Sequence, residues 1–309
     1  MTRRAPPHLY FVVSAVFHYL GPAFAVLLFA RVEVLGVAWL RIASAAVVFA
    51  AWRRPWRGLR RIDDQGRRLL VWWGAVLALM NCCFYLSIDR LPLGTVAAIE
   101  FLPVIALAAL GARTPRNAAA LLLAVAGVYL LTDVRLEGEP LGVALAFANA
   151  LLFALYIVLA HRAARHEVMS GIDGLGASML IAAVFVTPIA GWEAAPAFLD
   201  PVALLAGAGV GLSSSVIPYV TDQLAMARLP RASYALMVSL LPATATVIGV
   251  VVLAQIPSAA ELMGVALVVV GVGLHREDYA ARRKGVSEAE PVPDGSRQRK
   301  DSSASATAR

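Results

Sequence analysis

Charge is scarce in this chain, and cysteine scarcer. Only 15% of its 309 residues are charged while 60% are hydrophobic, and the mean hydropathy is +0.74. That balance leaves too little polar surface for a soluble domain of this length and defines a polytopic membrane protein. The two cysteines, Cys82 and Cys83, are adjacent inside an apolar run, which excludes a disulfide framework and offers no metal-ligand spacing. His-Glu-x-x-His, Gly-x-Ser-x-Gly and Cys-x-x-Cys do not occur, and neither does a nucleotide-binding motif. Hydrolytic and metal chemistry therefore have no motif to stand on, no cofactor is expected, and an ion gradient is the expected energy source for any work across a membrane.

What the chain has instead is a succession of apolar runs, each near the roughly 20 residues that a spanning helix needs. Punctuation by proline, glycine and charge places spans near 8–30, 34–52, 69–88, 93–112, 117–132, 140–160, 173–191, 201–222, 231–254 and 257–275. The first run carries His18 and Tyr19 and lacks a clear cleavage site, so it reads as a helix rather than a signal peptide. Residues 276–309 are rich in Arg, Lys, Ser, Glu and Pro and read as a disordered basic tail.

The net charge of +7 would suggest nucleic acid in a soluble protein, but here the basic residues sit in short connections and in the tail. They read as topology signals, and no nucleic-acid partner is expected. With the N-terminus inside, Arg53, Arg54, Arg57, Arg60, Arg61, Arg67, Arg68, Arg113, Arg116, Arg162, Arg165, Arg228 and Arg231 face the cytoplasm, and only Arg31, Arg90 and Arg135 face out. The positive-inside rule thus puts both termini in the cytoplasm.

The chain also repeats itself. Arg90-Leu91-Pro92 recurs as Arg228-Leu229-Pro230, each followed by an apolar run with a second proline, Pro103 and Pro242. Asn117 and Gly127 are matched at the same separation by Glu261 and Gly271. An odd number of spans per copy inverts one copy relative to the other, an arrangement transporters use to expose a midplane site alternately to the two sides. The expected fold is an all-α membrane protein with ten transmembrane helices in two inverted five-helix repeats. A short N-terminus (1–7) precedes repeats at 8–135 and 136–275, and the tail follows.

Phe84-Tyr85-Leu86-Ser87, then Arg90-Leu91-Pro92-Leu93-Gly94, then Ala98-Ile99-Glu100-Phe101 and the Gly127-Val128 helix together resemble the EamA-type branch of the drug/metabolite transporter superfamily. Within it the likeness is to amino-acid exporters, and it extends from residue 8 to about 275. The resemblance implies a central cavity and efflux of a small metabolite, an amino acid of the threonine or homoserine kind, in exchange for protons across the cytoplasmic membrane. Ser239 stands where the repeat places the counterpart of Glu100. A multidrug exporter or an importer of the same fold is the alternative, and a non-transporting scaffold or an intramembrane enzyme is the reading from another class.

Charged groups at mid-span cost about 2.5–3.5 kcal/mol on insertion scales and tend to face a cavity or a partner. The deep polar residues are His18, Arg41, Asn81, Glu100 and Asn149, with Tyr19 beside His18. Asn81 and Tyr85 fall on one helix face, Asn149 and Tyr156 on another, and Ser215, Tyr219 and Asp222 form a third stripe. These are the candidates for binding substrate or coupling protons. Each has a plainer reading: helix-to-helix hydrogen bonds for Asn81, Asn149 and Ser215, packing for His18, and an ion pair or a snorkelling side chain for Arg41. Asp222 lies near the span end and reads as solvated. Gly207 and Gly211 read as a close helix contact. Glu100 lies eight residues beyond the turn at 89–92, about 12 Å along a helix, which is near the midplane.

Overall fold

The computed structural model describes residues 7–56, 62–111, 114–136, 139–164, 171–226 and 240–274, and among them all regular structure is helical. Helices α1 (Pro7–Leu28), α2 (Val34–Arg53), α3 (Asp64–Ile88), α4 (Leu93–Gly111) and α5 (Pro115–Leu136) are followed by α6 (Pro140–Ala164) and α7 (Gly171–Ala190). A 3₁₀ turn, Ala195–Leu199, leads into α8, which runs as Pro201–Gly211, passes through a π-helical turn at Leu212–Val216 and resumes as Ile217–Met226. Then come α9 (Leu241–Leu253) and α10 (Ala259–Leu274).

Among the described residues, six helical stretches are long and apolar enough to cross a bilayer: Leu9–Leu28, Val34–Arg53, Asp64–Ile88, Pro140–Ala160, Ile172–Ala190 and Pro201–Thr221. The apolar stretches Leu93–Pro103, Pro115–Leu131, Leu241–Leu253 and Ala259–Leu274 are shorter. Large apolar side chains such as Trp72, Val184, Leu205 and Val251 point outward, as they do where lipid is the solvent. Arg228-Leu229-Pro230, Ser239 and the tail at 276–309 lie outside the described residues, as does the side chain of Asp222.

Polar residues set the helix ends. Asp63 caps α3 by accepting the Gly66 N–H at 3.0 Å, so that helix begins at Asp64 rather than at the apolar boundary near 69. Ser258 and Glu261 make a reciprocal capping box at the start of α10: the Glu261 N–H donates to Ser258 Oγ at 3.2 Å and the Ser258 N–H to Glu261 Oε2 at 2.8 Å. Thr114 Oγ1 likewise accepts the Asn117 N–H at 3.2 Å at the start of α5. The matched pair Asn117 and Glu261 is therefore the same position of two helix caps.

The packing partners also come in matched sets. Helix α2 packs on α7 and α5 on α10; α3 packs on α6 and α8 on α1; α4 packs on α6 and α9 on α1; α3 packs on α7 and α8 on α2. Exchanging each of the first five helices with the one five places later maps these contacts onto themselves. Between α5 and α10 the match reaches single residues. A Cβ on Gly127 would lie 2.6 Å from Gly264 O and 3.0 Å from Val268 N, and one on Gly271 would lie 2.7 Å from Ala120 O and 3.0 Å from Ala124 N. The register that pairs Gly127 with Gly271 also pairs Ala120 with Gly264 and Ala124 with Val268, so each contact has its reciprocal. The two helices run antiparallel, because contacts that move up one move down the other.

Candidate functional site

The site begins with a proline. Pro218 has no N–H, so the carbonyl four residues earlier, Ser214 O, is denied its helical donor. The helix widens into the π turn at Leu212–Val216 just there, and Arg41 of α2 supplies the donor instead, from Nη2 to Ser214 O at 3.3 Å. Its Nε donates to Ser215 Oγ at 3.1 Å, and its guanidinium lies over the Tyr85 ring, 5.5 Å from the centroid. Glycines allow the approach. Gly21 of α1 lies directly against Ser214, Gly211 against Ser44 and Arg41 O, and Gly207 against Leu40.

Arg41 is 7% exposed and makes no ion pair among the described residues, so it does not snorkel to the surface. The direction of its side chain is set by Ser215, the freed carbonyl and Tyr85, which together hold the charge inside the bundle. The acidic pole is Glu100 of α4, 6% exposed, whose Oε1 accepts from Asn149 Nδ2 of α6 at 3.1 Å. Arg41 and Glu100 lie within electrostatic range of each other yet do not meet in a salt bridge. His18 and Tyr19 of α1 complete the group: their rings meet edge to face at 5.1 Å, His18 within range of the Arg41 charge and Tyr19 within range of Glu100.

Three fully buried polar atoms in this group have no hydrogen-bond partner among the described residues: Tyr19 Oη, Tyr85 Oη and Asn149 Oδ1. The Tyr85 hydroxyl lies beside Arg41 and Ser214 without hydrogen-bond geometry to either. An unsatisfied buried polar atom costs about 1–3 kcal/mol, so three of them beside a buried arginine and a buried glutamate single this group out as the candidate binding site.

Seven of the sequence candidates thus come together: His18, Tyr19, Arg41, Tyr85, Glu100, Asn149 and Ser215. Three do not. Asn81 turns back on its own helix, donating to Leu77 O at 2.7 Å. Tyr156 stacks on Phe153 at 6.2 Å and lies 5.8 Å from the Trp73 ring. It shares a helix face with Asn149, but two turns of rise, about 11 Å, carry it into a second apolar core formed around Phe49, Trp73 and Leu77. Tyr219, one turn beyond Ser215, packs against that same core. Ser214 was missed by residue type, since it acts through its carbonyl; the signal was Pro218, four residues on.

A bundle of apolar helices with a buried arginine, a buried glutamate and unpartnered hydroxyls beside them is what a membrane transporter's site calls for. The chain belongs to the EamA-like transporter family. Residues 140–275 match that family directly. The threonine/homoserine exporter RhtA of Salmonella typhimurium (strain LT2) is 30% identical over 274 residues, covering 87% of this chain and 91% of its own. RhtA of Escherichia coli (strain K12) is 31% identical over 252 residues, covering 81% and 84%. A solved crystal structure of a protein 21% identical superposes with a TM-score of 0.54, covering 89% of this chain and 99% of its own; at that identity the likeness concerns the fold alone.

Proposed function

We propose that this protein exports a small amino acid, of the threonine or homoserine kind, from the cytoplasm by secondary active transport. The observation that carries the reading is the separation of Arg41 from Glu100: two opposite charges, buried in one core and left unjoined, match the two ends of a zwitterion. A drug exporter has no use for that pair, because burying charges without a charged ligand to neutralise them is costly.

Alternating access is supported by the reciprocal packing of the first five helices with the second five. We read the ten helices as ten spans in two inverted repeats, 8–135 and 136–275. The α5–α10 contact lies on the axis relating them. The basic connections then face the cytoplasm with both termini, in the cytoplasmic membrane. Glu100 is the coupling group: a substrate ammonium and a proton compete for the same carboxylate, so release of one on one side favours uptake of the other. That competition is proton antiport.

Purified protein in liposomes, loaded with radiolabelled threonine and given an inward proton gradient without nucleotide, tests the reading. We expect saturable efflux that slows when the gradient is collapsed. Efflux no faster than from empty liposomes, for threonine, homoserine and other small amino acids alike, would overturn it.

A further inference from the structure

We propose that the acidic pole of this site is a three-acceptor cradle for an unsubstituted primary ammonium, so that the protein takes free α-amino acids and rejects those alkylated or acylated on nitrogen. The inference rests on the amino-acid reading above and goes beyond it by assigning which atoms read which end of the substrate.

The assignment follows from counting donors and acceptors. Only the NH2 of an amide can donate to a carboxylate, so the bond from Asn149 to Glu100 Oε1 fixes the orientation of the amide and leaves Asn149 Oδ1 as a pure acceptor. That atom is fully buried and has no partner. Glu100 keeps Oε2, since Asn149 takes Oε1. Tyr19 Oη, also fully buried and unpartnered, lies within range of the Glu100 charge. These three acceptors, from α4, α6 and α1, equal in number the three N–H bonds of a primary ammonium. A secondary ammonium has two N–H bonds and leaves one acceptor stranded; an N-acyl group has one and no charge.

The other pole has the opposite inventory. Arg41 commits Nε and one hydrogen of Nη2 to Ser215 and Ser214, which leaves Nη1 for an incoming anion. The unpartnered Tyr85 hydroxyl lies beside it. A carboxylate accepts from both, whereas the ammonium finds no acceptor there except the hydroxyl. The substrate therefore binds in one orientation, with its carboxylate toward α2 and its nitrogen toward α4.

Tyr19→Phe tests the cradle cleanly, because the hydroxyl it removes bonds to nothing in the protein; the variant should melt at or above the wild-type temperature. In proteoliposomes of the full chain, N-methylthreonine should inhibit labelled threonine flux about 10-fold more weakly than threonine itself, the worth of one hydrogen bond to a charged group. In Tyr19→Phe, where only two acceptors remain, the two inhibitors should come within about 2-fold of each other. Equal inhibition by both compounds in the wild type overturns the cradle while leaving amino-acid transport intact. Discrimination that survives undiminished in Tyr19→Phe overturns it as well. If the wild type moves no amino acid at all, the functional reading itself fails and the cradle falls with it.

Discussion

Arg41 holds its place by shape as much as by charge. Its planar fork reaches Ser215 Oγ and Ser214 O at once while lying over Tyr85, and a lysine ammonium cannot do all three. Arg41→Lys should therefore leave folded protein in the membrane yet lower threonine flux at least about 10-fold, the effect of losing one charge-assisted contact in the transported complex; flux normalised to the amount of inserted protein checks this. A surface carboxylate behaves differently. Asp200 caps α8 through the Val202 and Ala203 N–H groups and pairs with Arg31 at 2.9 Å. The backbone N–H of Ala203 and the Arg31 guanidinium hold its carboxyl below the usual carboxylate range. A depressed carboxyl contributes its stability above the unfolded-state pKa and loses it as pH falls through the folded one. Thermal stability should then be insensitive to Asp200→Asn below that range and reduced by it at neutral pH, as melting curves at both pH values will show. At this scale the sequence was informative about which residues are deep and polar, but not about partners. Asn149 pairs with Glu100 rather than sharing work with Tyr156, because a partner on another helix depends on how two helices are rotated against each other, and residue spacing within one helix carries no record of that.

Two elements carry the mechanical features. The π turn of α8 exists where Pro218 denies Ser214 its donor, and restoring the N–H should let the ordinary helix compete with Arg41 for that carbonyl. Pro218→Ala is expected to raise the melting temperature, since proline inside a helix costs about 3 kcal/mol, and to lower threonine export; unchanged export in a stabilised variant would separate the π turn from function. The α5–α10 contact makes the second case. A methyl on Gly127 or on Gly271 meets backbone at 2.6 and 2.7 Å, and backbone cannot move aside as a side-chain tip does. Each alanine variant should destabilise by about 1–3 kcal/mol, with the two similar because the contacts are reciprocal, as read from paired melting curves in detergent. Helix order and most boundaries were legible from apolar length and punctuation. The start of α3 moved because a polar cap, Asp63, extends the helix past its apolar run. The likeness of Asn117 to Glu261 was visible as a repeat, but that both are capping positions needed the hydrogen bonds.

For the whole molecule, the distribution of arginines predicts that the α2–α3 connection and the C-terminus share the cytoplasmic side. Single cysteines placed at 60 and at 300, with Cys82 and Cys83 replaced, should resist an impermeant thiol reagent in intact cells and react after permeabilisation. Labelling of either before permeabilisation would refute the both-ends-inside topology. The family and the general architecture were readable from the sequence because they depend on composition and short motifs, whereas the separated charges emerge only once the bundle places Arg41 of α2 and Glu100 of α4 within electrostatic range of each other. The proposed function rests on those charges, and Glu100→Gln addresses them most directly, since it preserves shape and the contact with Asn149 while removing the charge. In proteoliposomes carrying equal amounts of protein, an imposed proton gradient should drive threonine against its concentration gradient through the wild type and fail to do so through Glu100→Gln. Gradient-driven accumulation in the variant at the wild-type rate, with the wild-type pH dependence, would show that Glu100 is a structural residue and contradict the coupling mechanism.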